Sequence, residues 1–234
     1  MSAARATSIS LAAALLLCTC AAAVVLAADE NNLNQFAADA NDDLVSRACA
    51  NATRYFCRLQ LTKDACVSTL RSPDIMPPQA AAIKDDLSDL ALRAFDLVGV
   101  SAAAADAAVG AAAANGGGDA GAARRLQYCR LDYDDMARTL PDCRRLVMRF
   151  KAGGGRVGLG DNPTNESMPF FKCVDRLRDA AVACWDQVRP SESLNKAVGK
   201  EVQEALQRAT VAKAIQEVML GTLNPWEPGA YQQY

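Results

Sequence analysis

The chain has 234 residues, 25 basic against 27 acidic for a net charge of −2, and no histidine. The near-neutral balance excludes the basic footprint of a nucleic-acid binder, and the missing imidazole excludes Ser-His-Asp and Cys-His catalysis and His-ligated zinc or iron. Alanine is about a fifth of the residues and aromatics are scarce, a balance of good helix formers over strand formers that predicts an all-α protein.

Residues 1–27 have the layout of a secretory signal peptide. Arg5 is followed by an apolar run from Leu11 and by the small-residue end Val25-Leu26-Ala27, then Asp29-Glu30. A retained anchor is the alternative, although the run is at the short limit for a membrane span and contains Thr19. Cleavage leaves a chain of net charge −3, with 24 basic and 27 acidic residues and no membrane segment expected. Seven cysteines then remain in an oxidising compartment, where they should pair and leave one over. None form a Cys-x-x-Cys pair, so neither a metal site nor a cofactor is expected. The sequons Asn51-Ala52-Thr53 and Asn165-Glu166-Ser167 suit the same compartment.

Residues 28–75 read as a mixed polar and helical N-terminal segment containing Cys49, Cys57 and Cys66, closed by breakers at Pro73 and at Pro77-Pro78. Residues 76–221 read as an up-down four-helix bundle. Its first helix spans about 78–114, with a seam through Ile83, Leu87, Leu90, Ala94, Leu97, Ser101, Ala104 and Ala108. The second spans about 121–151 through Leu126, Cys129, Tyr133, Met136, Leu140, Cys143, Val147 and Phe150, with Pro141 expected to kink it. A Gly- and Asn-rich loop is expected over 152–168. The third helix spans about 169–188 through Phe170, Val174, Leu177, Ala181, Cys184 and Val188. The fourth spans about 192–221 with Val198, Val202, Ala205 and Ala209 on one side. Residues 222–234 form a tail.

Helical phase orders the bundle cysteines. Cys129 and Cys143 are about 40° short of four full turns apart, and Cys173 and Cys184 about 20° past three, so each pair shares a face. Antiparallel neighbours would then join Cys129 to Cys184 and Cys143 to Cys173. In the N-terminal segment, Cys57–Cys66 is expected to close a short loop, with Cys49 left over. Cys49–Cys57 is the competing local pairing.

Three stretches resemble the plant invertase and pectin methylesterase inhibitor family: Cys57-x8-Cys66 with Val67-Ser68-Thr69-Leu70-Arg71-Ser72; Cys129-Arg130-Leu131-Asp132-Tyr133-Asp134-Asp135-Met136 with Leu140; and Ala180-Ala181-Val182-Ala183-Cys184-Trp185-Asp186. The resemblance covers roughly residues 44–220. It implies a disulfide-held hairpin followed by a disulfide-held four-helix bundle. It also implies an extracellular, cell-wall (apoplast) inhibitor, with the vacuole as the alternative address, that covers the substrate cleft of pectin methylesterase or of an acid invertase in a one-to-one complex. The sequence departs from the family in the long 152–168 loop, in the extra Cys49, Cys143 and Cys173, and in lacking the Pro-Lys-Phe triplet associated with invertase inhibition, of which Pro169-Phe170-Phe171-Lys172 is a superficial echo.

Other features carry less. Gly153-x-Gly155-x-x-Gly158 follows a helix instead of a strand, so it reads as a loop and not as a dinucleotide site. Asp132, Asp134 and Asp135 flank the seam residue Tyr133 and read as a solvated or partner-facing surface. Trp185 is expected partly buried, and Trp226 is expected to dock from the tail. The reading is a non-enzymatic inhibitor of pectin methylesterase, with Asp134, Asp135, Arg138 and Thr139 as contact residues. An acid invertase inhibitor is the alternative in the same class. A secreted helical carrier of a small apolar ligand is the alternative in another class, although the mature chain lacks the adjacent Cys-Cys and Cys-x-Cys of lipid-transfer proteins.

Overall fold

The computed structural model describes residues 43–55, 61–73, 86–115, 120–154 and 163–221. The expected signal peptide, Cys57, Ile83 and the tail with Trp226 lie outside them. Among the described residues the chain is helical, with no strand.

Two short helices open it: α1 (Leu44–Tyr55) and α2 (Lys63–Leu70). Asp43 caps α1 by accepting the Ser46 N–H at 2.9 Å, and it pairs with Arg71 past the end of α2 at 2.6 Å. That backbone hydrogen bond and the guanidinium hold its carboxyl below the usual value. Thr62 caps α2 by accepting the Ala65 N–H at 3.1 Å. On α1, Val45, Ala48, Cys49 and Ala52 fall at i, i+3, i+4 and i+7 and are all buried. Cys49 therefore points into the hairpin and bonds Cys66, with the Cα atoms 5.7 Å apart. This corrects the Cys57–Cys66 expectation. Cys49 is not the leftover thiol, because its helical phase aims it at α2.

Four long helices follow: α3 (Leu87–Ala114), α4 (Ala120–Ala152), α5 (Pro163–Val188) and α6 (Glu192–Met219). They pack in the ring order α3, α4, α5, α6, with α6 closing back on α3. Each runs antiparallel to its neighbours. Between α3 and α4 the ion pairs descend in register: Asp86 and Asp89 with Lys151, Asp96 with Arg144, and Asp106 with Arg130. Between α5 and α6, Asp175 pairs with Lys213, and the Gln216 amide donates to the Phe170 carbonyl at 2.8 Å. The hairpin packs on α3 and α6. There, Arg93 donates to the Leu70 carbonyl at 2.6 Å, and Gln207 donates to the Thr69 hydroxyl at 3.0 Å. The core holds Phe95, Leu97, Leu126, Met136, Leu177 and Ile215, all fully buried.

Helix ends and seams differ from the sequence reading in four places. Asp86 starts α3 by accepting the Ser88 N–H at 2.8 Å. Further along, the buried row passes from Leu97 and Ser101 to Ala102, Ala105 and Val109, leaving Ala104 exposed. A helix of 3.6 residues per turn lags a heptad by about 20° each repeat, so a strict 3-4 seam rotates out of the interface. The loop expected over 152–168 is shorter, because α5 begins at Pro163. Proline suits the first helical position, where its missing N–H is no loss. In α6 the expected row Val198, Val202, Ala205 and Ala209 is buried, and so are Arg208, Thr210, Val211 and Ala212. Gly221, at φ +69°, ends α6 in the left-handed conformation.

Candidate functional site

The α4–α5 side of the bundle is spanned by two bridges, Cys129–Cys184 and Cys143–Cys173, with Cα separations of 4.5 and 5.6 Å. It lies across the ring from the α3–α6 side that receives the hairpin. Near one end, Phe150 and Phe170 meet edge to face at 6.1 Å between centroids. These links leave α4 and α5 little freedom to slide or splay.

The outer surface of this pair is built by helical spacing. Tyr128, Leu131, Asp135 and Arg138 step by three, four and three along α4 and share its α5 side. Asp135 takes a two-pronged contact from Arg176 of α5, with Nε to Oδ2 at 2.7 Å, and the Arg138 guanidinium lies 3.9 Å from the same carboxylate. The Arg176 hydrogen bonds hold the Asp135 carboxyl below its usual value. Tyr128 and Leu131 are 47% and 56% exposed and, with Met148, are the large apolar side chains of this helix that face water.

Asp132 lies between this strip and the core and is half-buried. Its carboxyl is pushed up to about 6, first by desolvation and second by the neighbouring Asp135 charge. The expectation that Asp132 belongs to a solvated face therefore changes: it titrates within the mildly acidic range. Tyr133 points inward, and burial raises its phenol, with the Asp132 and Asp106 charges adding to the effect. Its hydroxyl has no hydrogen-bond partner among the described residues.

The four expected contact residues separate. Asp135 and Arg138 join the Arg176 cluster. Asp134 is exposed on the outer surface. Thr139 is buried and is corrected as a contact residue. It stands three residues past Met136 and four before Cys143, so it falls in the inner row facing α5. Leu140, placed in the seam from sequence, is half-buried toward α3, where its Cδ2 approaches Gly99. Because α4 has a neighbour on each flank, positions 139 and 140 both turn inward. Sequence reasoning missed Tyr128, Leu131 and Arg176. The available signal was that Tyr128 and Leu131 are apolar residues off the seam. Asn51 is exposed on α1. Asn165 falls within the first turn of α5, and its side chain lies outside the described residues. Trp185 is half-buried against the core. Among the described residues, no group of three or more His, Cys, Asp or Glu side chains is arranged to hold a metal ion.

The described residues thus form a disulfide-pinned helical bundle whose α4–α5 face carries a strip of exposed apolar and paired charged side chains. No family model matches the chain, and no curated protein matches it. Among solved structures it is similar to the crystal structure of a pectin methylesterase inhibitor from Arabidopsis thaliana, at 17% identity and a TM-score of 0.45, over 70% of this chain and 92% of that one. A likeness of that size assigns no activity, and the architecture rests on the chain's own helices and bridges.

Proposed function

We propose that the chain is a secreted protein inhibitor whose α4–α5 face docks into the substrate cleft of pectin methylesterase, one inhibitor to one enzyme. The observation that carries this reading is the exposed pair Tyr128 and Leu131 beside the Asp135, Arg138 and Arg176 charges. Apolar anchors with a charged rim are the anatomy of a protein interface, in which aromatic and Arg side chains dominate the energy. Two bridges hold the surface in shape, which reduces the ordering cost of binding. The choice of enzyme comes from the sequence resemblance of the 57–72, 129–140 and 180–186 stretches. The layout of residues 1–27 together with the disulfides supports an extracellular, cell-wall address.

The mechanism is steric. The rigid face occupies the cleft, substrate is excluded, and no bond is made or broken. The test is a titration of the oxidised, signal-free protein against a plant pectin methylesterase and an acid invertase, at mildly acidic and neutral pH. Loss of esterase activity with a one-to-one endpoint, and none for invertase, is expected. Loss of invertase activity alone would transfer the same face to that enzyme. Inhibition of neither, across several isoforms, would refute the inhibitor reading. Heat stability that rises with an added apolar ligand would then favour a carrier.

A further inference from the structure

A second surface lies on the opposite side of the molecule, where α2 meets α6. An open groove of about 610 Å³ runs between them, within the range of small-ligand clefts. We propose that this groove binds a short carbohydrate carrying a carboxylate. The inference goes beyond the inhibitor reading and does not rest on it.

The lining is the argument. The α2 wall supplies the hydroxyls of Ser68, Thr69 and Ser72, and the α6 wall supplies the amides of Asn195, Gln203 and Gln207. Each amide offers two donors and an acceptor, and the Ser68 and Thr69 hydroxyls, which donate to the Ala65 carbonyl, present acceptor lone pairs, a mixture that matches the vicinal hydroxyls of a sugar. Among the described residues no aromatic or long aliphatic side chain lines the groove, so they offer no pocket for the side chains of a peptide and no stacking platform for a base.

The walls are fixed. Gln207 Nε2 donates to Thr69 Oγ1 at 3.0 Å, and that hydroxyl donates to the Ala65 carbonyl at 2.7 Å. This orients a polar pair across the groove and leaves the Gln207 carbonyl oxygen to accept. Gly199 in the lining contributes no side chain, and the Asn195 amide folds over it, so that an added Cβ would run into Asn195 Oδ1.

Charge selects the ligand. The buried Arg208 guanidinium is committed to the Glu204 carboxylate and reaches toward the Leu97 carbonyl at 3.5 Å, so this pair contributes no net charge. Lys200 is exposed on the same wall and makes no ion pair with the described residues. One uncompensated ammonium beside six neutral polar groups fits a hydroxyl-rich ligand with a single carboxylate. It does not fit a polyphosphate, which calls for several converging cations.

The test uses the signal-free, oxidised full chain with two probes, a galacturonic acid trimer and the neutral maltotriose, followed by amide NMR and calorimetry. The acidic trimer is expected to shift resonances at 68–72 and 195–207 and to saturate in the millimolar range, as a groove without stacking allows. Lys200→Ala should weaken the acidic trimer about fivefold, the upper range of one exposed ion pair, and should leave maltotriose unchanged. Gln203→Ala should weaken both. Neither side chain has a partner among the described residues, so both variants should fold, and Lys200→Ala should leave enzyme inhibition untouched. Gly199→Ala displaces only the flexible Asn195 amide and should alter the shifts at that end of the groove. Shifts scattered over the surface, no saturation, or insensitivity to Gln203→Ala would overturn the site. Equal binding of the two trimers would overturn its anionic selectivity.

Discussion

Replacing Cys143 and Cys173 together by alanine isolates one bridge of a nested pair. The inner bridge spans 30 residues and the outer Cys129–Cys184 bridge spans 55. Alone, a 30-residue loop would give about 3.6 kcal/mol on the chain-entropy account. With the outer bridge intact, the ring that reopens runs only through the residues between the bridges, about 25 in total, so the expected loss is about 3.5 kcal/mol. Both cysteines are buried in the α4–α5 interface, and the small sulfur-sized gaps add little to this. In a domain of this size the loss lowers the melting temperature by roughly 7–14 °C. The assay is urea unfolding and thermal melting of the oxidised wild type and double variant, with peptide mapping of the remaining bridges. A loss under about 1 kcal/mol, with the outer bridge mapped intact, would refute the argument that the unfolded chain is the state being constrained.

Asp132→Asn tests the raised carboxyl. The folded-state value near 6 lies above the ordinary 3.8, so the fold prefers the neutral form. The charged form is a penalty that is absent near pH 3.5, grows as pH rises through about 4 to 6, and is constant above that range. The variant should therefore stabilise by about 1 kcal/mol at pH 7, after allowance for the half-exposed position, and by nothing at pH 3.5. An equal effect at both values would exclude the electrostatic cause. Gly110→Ala should stabilise by about 0.5–1 kcal/mol in chemical denaturation, because Gly110 is inside α3 and an added Cβ meets nothing within 4 Å. Tyr128→Ala with Leu131→Ala should weaken inhibition of the target enzyme tenfold or more while leaving the melting temperature within a few degrees. An unchanged inhibition constant would remove this strip from the interface.

Helix content, the number of long helices and the shared faces of the bundle cysteines could be read from residue order, since each depends on local propensity and on a fixed angle per residue. The antiparallel matching of Cys129 with Cys184 and Cys143 with Cys173 follows from that angle once short connections make α4 and α5 neighbours. Tertiary structure alone decided how wide an arc of each helix is covered. That is why Thr139 is buried beside a half-buried Leu140, why Ala104 turns outward on α3, and why the second half of α6 is buried on more sides than one row predicts. The same holds for Cys49, whose partner depends on how α2 folds back over α1. It holds also for Asp132, whose proton affinity is raised first by the water it loses on packing and second by the charge of Asp135 one turn along the same helix. The exposed Tyr128 and Leu131 and the polar groove at Lys200 are properties of surfaces left open after packing. Periodicity can say which residues share a side, but only the neighbours determine which sides remain in water.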